Sequence, residues 1–390
     1  MMIDITQGVT AANGYRAGGV AAGISKPNKK DIALVINDGP LRNAAAVFTT
    51  NRFAAAPVGW SRHAIADGQL RAVVLNSGGA NACTGAQGDA DARAMAQATA
   101  DAIGCGIDDV GVASTGLIGQ LLPMPVVVAG IDEAARTATT SGGADAAQAI
   151  MTTDTVSKQA AYTSEQGWSV GGMAKGAGML APALATMLVV VTTDAQLSSA
   201  EAGSRLRMAT SLSFERADAD GCMSTNDTVI LLANGASGVT PDLDEFQSAL
   251  TAVCTSLAKQ LIADAEGAEH SITVTVSSAA SEQDALEVAR AIARSNLFKC
   301  AIAGNDPNWG RVLASMGTTR ASFDPDQVEV DFNGVTLFSH GELGAPRDQV
   351  DLHPYDVDVT IALNAGDATA TIWTSDLTHG YVSENSDYSS

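Results

Sequence analysis

The sequence predicts a layered α/β fold with mixed sheets, and three observations carry that expectation. Apolar, β-branched runs alternate with Ala-rich amphipathic segments through most of the chain. Alternating apolar and polar runs with turn signals between them fill the C-terminal part, which reads as antiparallel strand pairs. The chain has 390 residues, 46% of them hydrophobic, enough for one large core or two linked ones. Early alternation with late hairpins favours mixed sheets over a purely doubly wound fold.

The elements follow in order. DIALVIND (31–38) and RAVVLNS (71–77) are apolar, branched and followed by turn formers, so both read as buried strands. DADARAMAQATADAIG (90–104) is a helix stopped by glycine. PVVVAGIDEAARTAT (125–139) and DAAQAIM (145–151) are helical, and QAAYTSEQGWSVGG (159–172) is a hairpin turning at SEQG. MLVVVT (187–192) is apolar almost throughout, the mark of a strand covered on both faces. Beyond it, 203–216 is helical, TVILLANGAS (228–237) is a strand, and 244–268 spaces its apolar residues as one long helix. HSITVTVSSA (270–279) is a strand and 282–295 a helix. QVEVDFNGVTLFS (327–339) and 356–377 are each expected to be a hairpin.

Charge and composition exclude several functions. Twenty-two Lys and Arg against 43 Asp and Glu give a formal charge of −21, which repels phosphate backbones and anionic lipid. The apolar runs are too short to span a bilayer, and no charged segment leads into an apolar stretch at the start, so neither a membrane protein nor a signal peptide is expected. Five scattered cysteines without a CxxC pair suit a reduced cytoplasmic protein. The five histidines show no i, i+4 pair and read as surface or satisfied core imidazoles, and no G-x-S-x-G elbow is present. No metal site and no Ser-His-Asp triad are expected.

The stretch KGAGMLAPALATMLVVVTTDA (175–195) runs from glycines into a core strand, with Ala185-Thr186 at the seam. Gly171, Gly172, Gly176 and Gly178 let the chain bend before a rigid strand. One reading is structural: Thr186 is a β-branched strand starter. The other is chemical. A threonine hydroxyl needs an adjacent base, and a threonine that becomes an N-terminus carries one in its own α-amine, which titrates at about 7.7–8.0. Attack of the Thr186 hydroxyl on the Ala185 carbonyl would create that terminus through an ester that water hydrolyses.

At this point the residues closely resemble a family. KGAGMLAP followed by ATML is similar to the self-cleaving ornithine acetyltransferases (glutamate N-acetyltransferases) of the cyclic arginine pathway. The likeness continues through NSGGANACTGAQG (76–88), STGLIG (114–119), MTTDT (151–155), STNDTV (224–229), DPNWGR (306–311) and the terminal ENSDYSS. It implies the family's layered α/β sandwich, cut into residues 1–185 and 186–390, with Thr186 as cleavage-site residue and nucleophile. Thr115 and Gly116, on their own a turn after a strand, inherit the oxyanion hole. Lys175, otherwise a solvated loop residue or an anion contact, becomes a substrate ligand. So do Thr152 and Glu266, and the tail is expected to fold over the site with Asn385 and Ser390 as ligands. Glu266, placed at the end of the long helix, would oppose the helix dipole, which itself favours a functional reason. The glycine-rich 76–88 loop fits no phosphate-binding pattern, and Cys83 in it reads as a packed thiol.

The sequence departs from the family at Gly79, where Asn is common, at Cys222, where an acid is frequent, and at Ala183, where a polar residue often stands. These are supporting positions. The implied reaction moves an acetyl group from N-acetylornithine to Thr186 and then to glutamate, without a cofactor, with acetyl-CoA as an optional further donor. The implied assembly holds two copies of each cut chain, in the cytoplasm, with no nucleic-acid or membrane partner. The alternatives are a self-processed amidase or aminopeptidase that passes the acyl group to water, and an uncut binding protein.

Overall fold

The computed structural model describes residues 2–25, 28–181 and 187–387. Among them, two sheets lie face to face between helices. One has the order β1 (Tyr15–Val20), β2 (Ile32–Asn37), β4 (Ala72–Ser77), β5 (Val110–Thr115). The other has the order β3 (Asn43–Phe48), β9 (Thr228–Ala233), β8 (Leu188–Thr193), β7 (Ser169–Lys175), β6 (Lys158–Thr163). Both are mixed: β4 with β5 and β8 with β9 run parallel, and the other neighbours run antiparallel.

Period-two patterning explains the layering. Leu188 and Val190 of β8 face Val35, Val73 and Leu75 of the opposite sheet, whereas Val189 and Val191 face the other way. That second face is covered by α5 (Ser199–Ser211) and α6 (Leu243–Ala263). The outer face of the first sheet, with Ile32, Leu34, Val74 and Val112, is covered by α2 (Gly85–Ile103) and α3 (Met124–Thr137). Shorter helices α1 (Ala56–Ala64) and α4 (Gly143–Ala149) close the flanks. The result is the expected sandwich of helix, sheet, sheet and helix, with β8 at the centre of its sheet and buried throughout.

A second core forms C-terminally. Strands β10 (Ser271–Ala279), β11 (Glu329–Phe332), β12 (Val335–Ser339), β13 (Glu342–Leu343), β14 (Asp356–Ala362) and β15 (Ala368–Ser375) make one sheet packed on α7 (Glu282–Ala293), α8 (Asn296–Ala303) and α9 (Trp309–Met316). The chain ends in α10 (His379–Asp387).

Three expectations need correction. The run 327–339 is the hairpin β11–β12, but 356–377 is not one, because β10 lies between β14 and β15, parallel to the first and antiparallel to the second. Its turn instead wraps the end of β10, where Leu363 donates to the Ser277 carbonyl and Ala365 to that of Ser278. The long helix ends at Ala263 and not at 268, so Glu266 lies in a turn beyond it. The Asp264 carboxylate accepts from Lys158, and Gly267 sits against the backbone of Tyr381 at a φ of +64°, which α10 packing requires. Finally, the glycines before the seam do different jobs. Gly171 and Gly172 are strand residues of β7, and of the four only Gly176, at a φ of +154°, has a backbone conformation that favours glycine.

Candidate active site

One end of the sandwich gathers the candidate residues. Thr115 closes β5, Lys175 closes β7, and Lys175 lies in register with Leu188, which in turn lies in register with Thr228. A cavity there is lined by Thr115, Gly116, Thr152, Lys175, Glu266 and Asn385, together with Thr153, Gly178, Met179, Asn226 and others. All the candidate ligands within the described residues thus share one cavity, although their positions span most of the chain. Ala183, Ala185, Thr186 and Ser390 lie outside the described residues.

Gly116 follows directly on Thr115 with a φ of +129°, and a Cβ there would stand 2.5 Å from the Gly79 amide nitrogen. No residue but glycine fits. The Gly79 amide donates to the Thr115 carbonyl at 3.0 Å, locking the turn from behind. Asn226 ties it further, donating to the carbonyls of Ala80 and Ser114 at 2.6 and 2.7 Å. A Cβ at Gly79 would stand 2.7 Å from Leu122 Cδ2.

Lys175 is buried, neither a loop residue nor solvated. Its Nζ donates to Thr152 Oγ1 at 2.7 Å and to Thr115 Oγ1 at 3.2 Å, and stands 3.9 Å from Asp154 Oδ2. Because Thr115 Oγ1 accepts from the ammonium, its own hydroxyl hydrogen is free to point elsewhere. Burial pushes the Lys175 ammonium below its ordinary pKa, with Asp154 pulling the other way. Asp154 anchors the region: it accepts from the Thr152 and Gly176 amides and from Lys158, which also donates to Asp264 at 2.5 Å. Burial would raise the Asp154 pKa, but the charges of Lys175 and Lys158 outweigh it and hold the carboxyl well below its usual range.

Glu266 presents a carboxylate from the turn after α6. Thr153 donates to Oε1 at 2.9 Å and Asn385, from α10, to Oε2 at 3.0 Å. A Cβ at Gly178 would stand 2.5 Å from Glu266 Oε2, which explains that glycine.

Sequence reasoning missed Thr153, Asp154 and Asn226, although each lies inside a segment it quoted, MTTDT or STNDTV. It also read Cys83 as packed, whereas the thiol is exposed, and Cys222 is exposed as well. His270 is a satisfied core imidazole between Asp376 and the Leu352 carbonyl, and the other four histidines are exposed. Among the described residues no group of three metal-ligating side chains is gathered.

Chemically, a buried ammonium beside two hydroxyls at one side and a hydrogen-bonded carboxylate at the other suit a zwitterionic amino acid. The Thr115–Gly116 turn offers a hydroxyl next to a backbone that tolerates close approach. Lys175, on the cavity wall, lies in register with Leu188 at the start of β8.

Residues 16–390 match the ArgJ family. An arginine biosynthesis bifunctional protein ArgJ of Thermobifida fusca is 59% identical over 381 residues, covering 98% of this chain and 99% of the relative. The protein of the same name in Streptomyces coelicolor is 56% identical over 382 residues, covering 98% and 100%. A crystal structure of ornithine acetyltransferase complexed with ornithine, from Mycobacterium tuberculosis, shares 50% identity at a TM-score of 0.46, over 48% of this chain and 99% of that one. This chain belongs to the ArgJ family.

Proposed function

We propose that the chain is an acetyltransferase of arginine biosynthesis that moves an acetyl group from N-acetylornithine to glutamate through an acetyl-threonine at Thr186. The observation that carries the reading is the cavity joining Thr115, Gly116, Thr152, Lys175, Glu266 and Asn385. In this reading the Thr186 α-amine takes the hydroxyl proton as that oxygen attacks the acetyl carbonyl. Thr115 and Gly116 receive the oxyanion, and ornithine leaves with the proton. Glutamate enters the same cavity and its amine takes the acetyl group. Lys175 suits the α-carboxylate shared by both amino acids, and Glu266 an ammonium. The relatives' shared description as bifunctional supports a second activity, in which acetyl-CoA supplies the acetyl group to glutamate.

The reading includes a cut between Ala185 and Thr186. Strands β3, β6 and β7 would fall to the first product and β8 and β9 to the second, within one hydrogen-bonded sheet. The products are therefore expected to stay together, and an assembly of two copies of each belongs to the same proposal. No helix among the described residues is long and apolar enough to cross a membrane. A cytoplasmic location fits five unpaired cysteines.

Two measurements test the proposal. Purified protein given N-acetylornithine and labelled glutamate should yield labelled N-acetylglutamate and ornithine in equal amounts; free acetate in their place would make it a hydrolase. Intact mass should give fragments of 185 and 205 residues (390 − 185 = 205), and Thr186→Ala should stay whole and inactive.

A further inference from the structure

Asn226 borders the cavity, yet its buried side chain is engaged within the protein. Its Nδ2 donates to the Ala80 carbonyl at 2.6 Å and to the Ser114 carbonyl at 2.7 Å, which uses both amide hydrogens. Its Oδ1 accepts from Thr225 Oγ1 at 2.6 Å, so the orientation of the amide is set from both ends. A side chain held in this way has no hydrogen left to give a substrate.

The two carbonyls belong to the two segments that build the Thr115–Gly116 turn. Residues 79–82 run beside 115–119: the Gly79 amide donates to the Thr115 carbonyl, the Ala80 amide to that of Leu117 and the Gly119 amide to that of Ala82. A trans peptide is planar, so its N–H points opposite to its C=O. Pinning the Thr115 carbonyl to Gly79 therefore sends the Gly116 N–H the other way. Pinning the Ser114 carbonyl to Asn226 fixes the peptide that carries Thr115, and with it the hydroxyl 3.2 Å from Lys175 Nζ. Among the described residues, Asn226 is the one side chain that bonds both segments.

Asn226 comes from the other sheet, just before β9. Its two neighbours meet the residue that precedes β8: Asp227 Oδ1 accepts from the Met187 amide, and the Thr228 amide donates to the Met187 carbonyl, both at 3.1 Å. Residues 226–228 thus hold the turn of the first sheet with one side chain and the approach to β8 with the next two residues.

We propose that Asn226 is a positioning residue for acetyl transfer, clamping the turn of the first sheet to the strand pair of the second so that the Thr115 hydroxyl meets the developing charge. The inference rests on the reading of Thr115 and Gly116 as the oxyanion turn. Both halves of the transfer develop that charge on the same acetyl oxygen, once as ornithine leaves and once as glutamate attacks. Loss of the clamp therefore slows both halves alike and leaves binding of both amino acids intact, because an interaction that matters only in the transition state lowers kcat and not affinity.

The test follows each half by rapid quench in Asn226→Ala: acetylation by N-acetylornithine and deacetylation by glutamate, counted per cut chain by intact mass. Each half is expected to slow roughly 10–10²-fold, less than the cost of deleting a donor outright, with half-saturating concentrations unchanged within about twofold. In a Thr115→Ala enzyme the same change is expected to cost under about threefold, because the group it positions is gone. Wild-type rates in Asn226→Ala, or a loss that repeats in full beside Thr115→Ala, overturn the proposal. So does weaker binding at an unchanged rate, which would make Asn226 a ligand. A second measurement needs neither the cut nor the reaction. Amide exchange across residues 114–117 is compared between the uncut Thr186→Ala chain and the same chain carrying Asn226→Ala, where it is expected to quicken by about tenfold or more. Equal exchange overturns the clamp. Wild-type enzyme that passes no acetyl group to glutamate overturns the transfer reading and the positioning role with it, while the exchange comparison still decides whether Asn226 holds the turn.

Discussion

Lys175 donates to the Thr115 hydroxyl across 3.2 Å, joining the end of β7 to the end of β5. The contact orients a proposed oxyanion donor with a residue also proposed to bind substrate. Removing the hydroxyl in Thr115→Ala is expected to lower kcat by roughly 10²–10³-fold. Lys175→Met should also reduce the rate. If Lys175 acts partly through Thr115, the double variant loses less than the product of the single losses, by a coupling of about 0.5–3 kcal/mol. Strict multiplication of the two losses would show that the contact has no catalytic consequence.

Gly178 tests the opposite wall. The Glu266 carboxylate is held by Thr153 and Asn385, so it has little room to retreat from a methyl group built at 2.5 Å. Gly178→Ala is expected to displace it and raise KM for both amino acids by about tenfold or more, the loss of one hydrogen bond to a charged group. Asn385→Ala should act in the same direction. A Gly178→Ala enzyme with unchanged KM would remove Glu266 from the substrate's path.

Most of the sandwich was legible because its signals are local. MLVVVT buries both faces, as its unbroken apolar run requires, and the SEQG turn produces the β6–β7 pair. What was not legible depends on partners distant in sequence. Nothing in 356–377 tells that β10, nearly a hundred residues earlier, will part its two strands. The end of α6 is set by Asp264 reaching Lys158 and by Gly267 meeting Tyr381, neither of which periodicity contains. Glu266 lines the same cavity as the other described candidates, while the helix-end argument offered for it fails. Asp154 too is a plain acid in MTTDT until two lysines are folded against it.

That cluster yields a stability prediction. Asp154→Asn leaves the buried Lys175 without its carboxylate and Lys158 with Asp264 alone, a change expected to cost roughly 3–5 kcal/mol. Its pH dependence has a definite sign. The folded-state pKa is depressed by Lys175 and Lys158 against the effect of burial, so this contribution is complete above the unfolded carboxylate's value and fades as pH falls towards the folded one. Wild type should lose stability across that acidic window, and Asp154→Asn should lack this component. Thermal melts from neutral to acidic pH read both, and parallel curves for the two proteins would deny Asp154 its charged partners.

The last prediction concerns kinetic order and the base. Transfer through an acetyl-threonine requires ornithine to leave before glutamate enters if both use the proposed site at Lys175 and Glu266. Reciprocal rate plotted against reciprocal N-acetylornithine at several glutamate concentrations should therefore give parallel lines, and an acetylated peptide beginning at Thr186 should accumulate when glutamate is withheld. If the new α-amine is the base, kcat/KM should rise with pH through its titration, at about 7.7–8.0 for a free amine and lower for a buried one, since desolvation disfavours its charged form. The Lys175 ammonium, itself pushed down by burial, would add a fall on the alkaline side as its charge is lost, and Lys175→Met should abolish that fall while leaving the rise in place. Intersecting lines with no acetylated peptide would mean direct transfer between two bound amino acids, and Thr186 would then have no part as nucleophile.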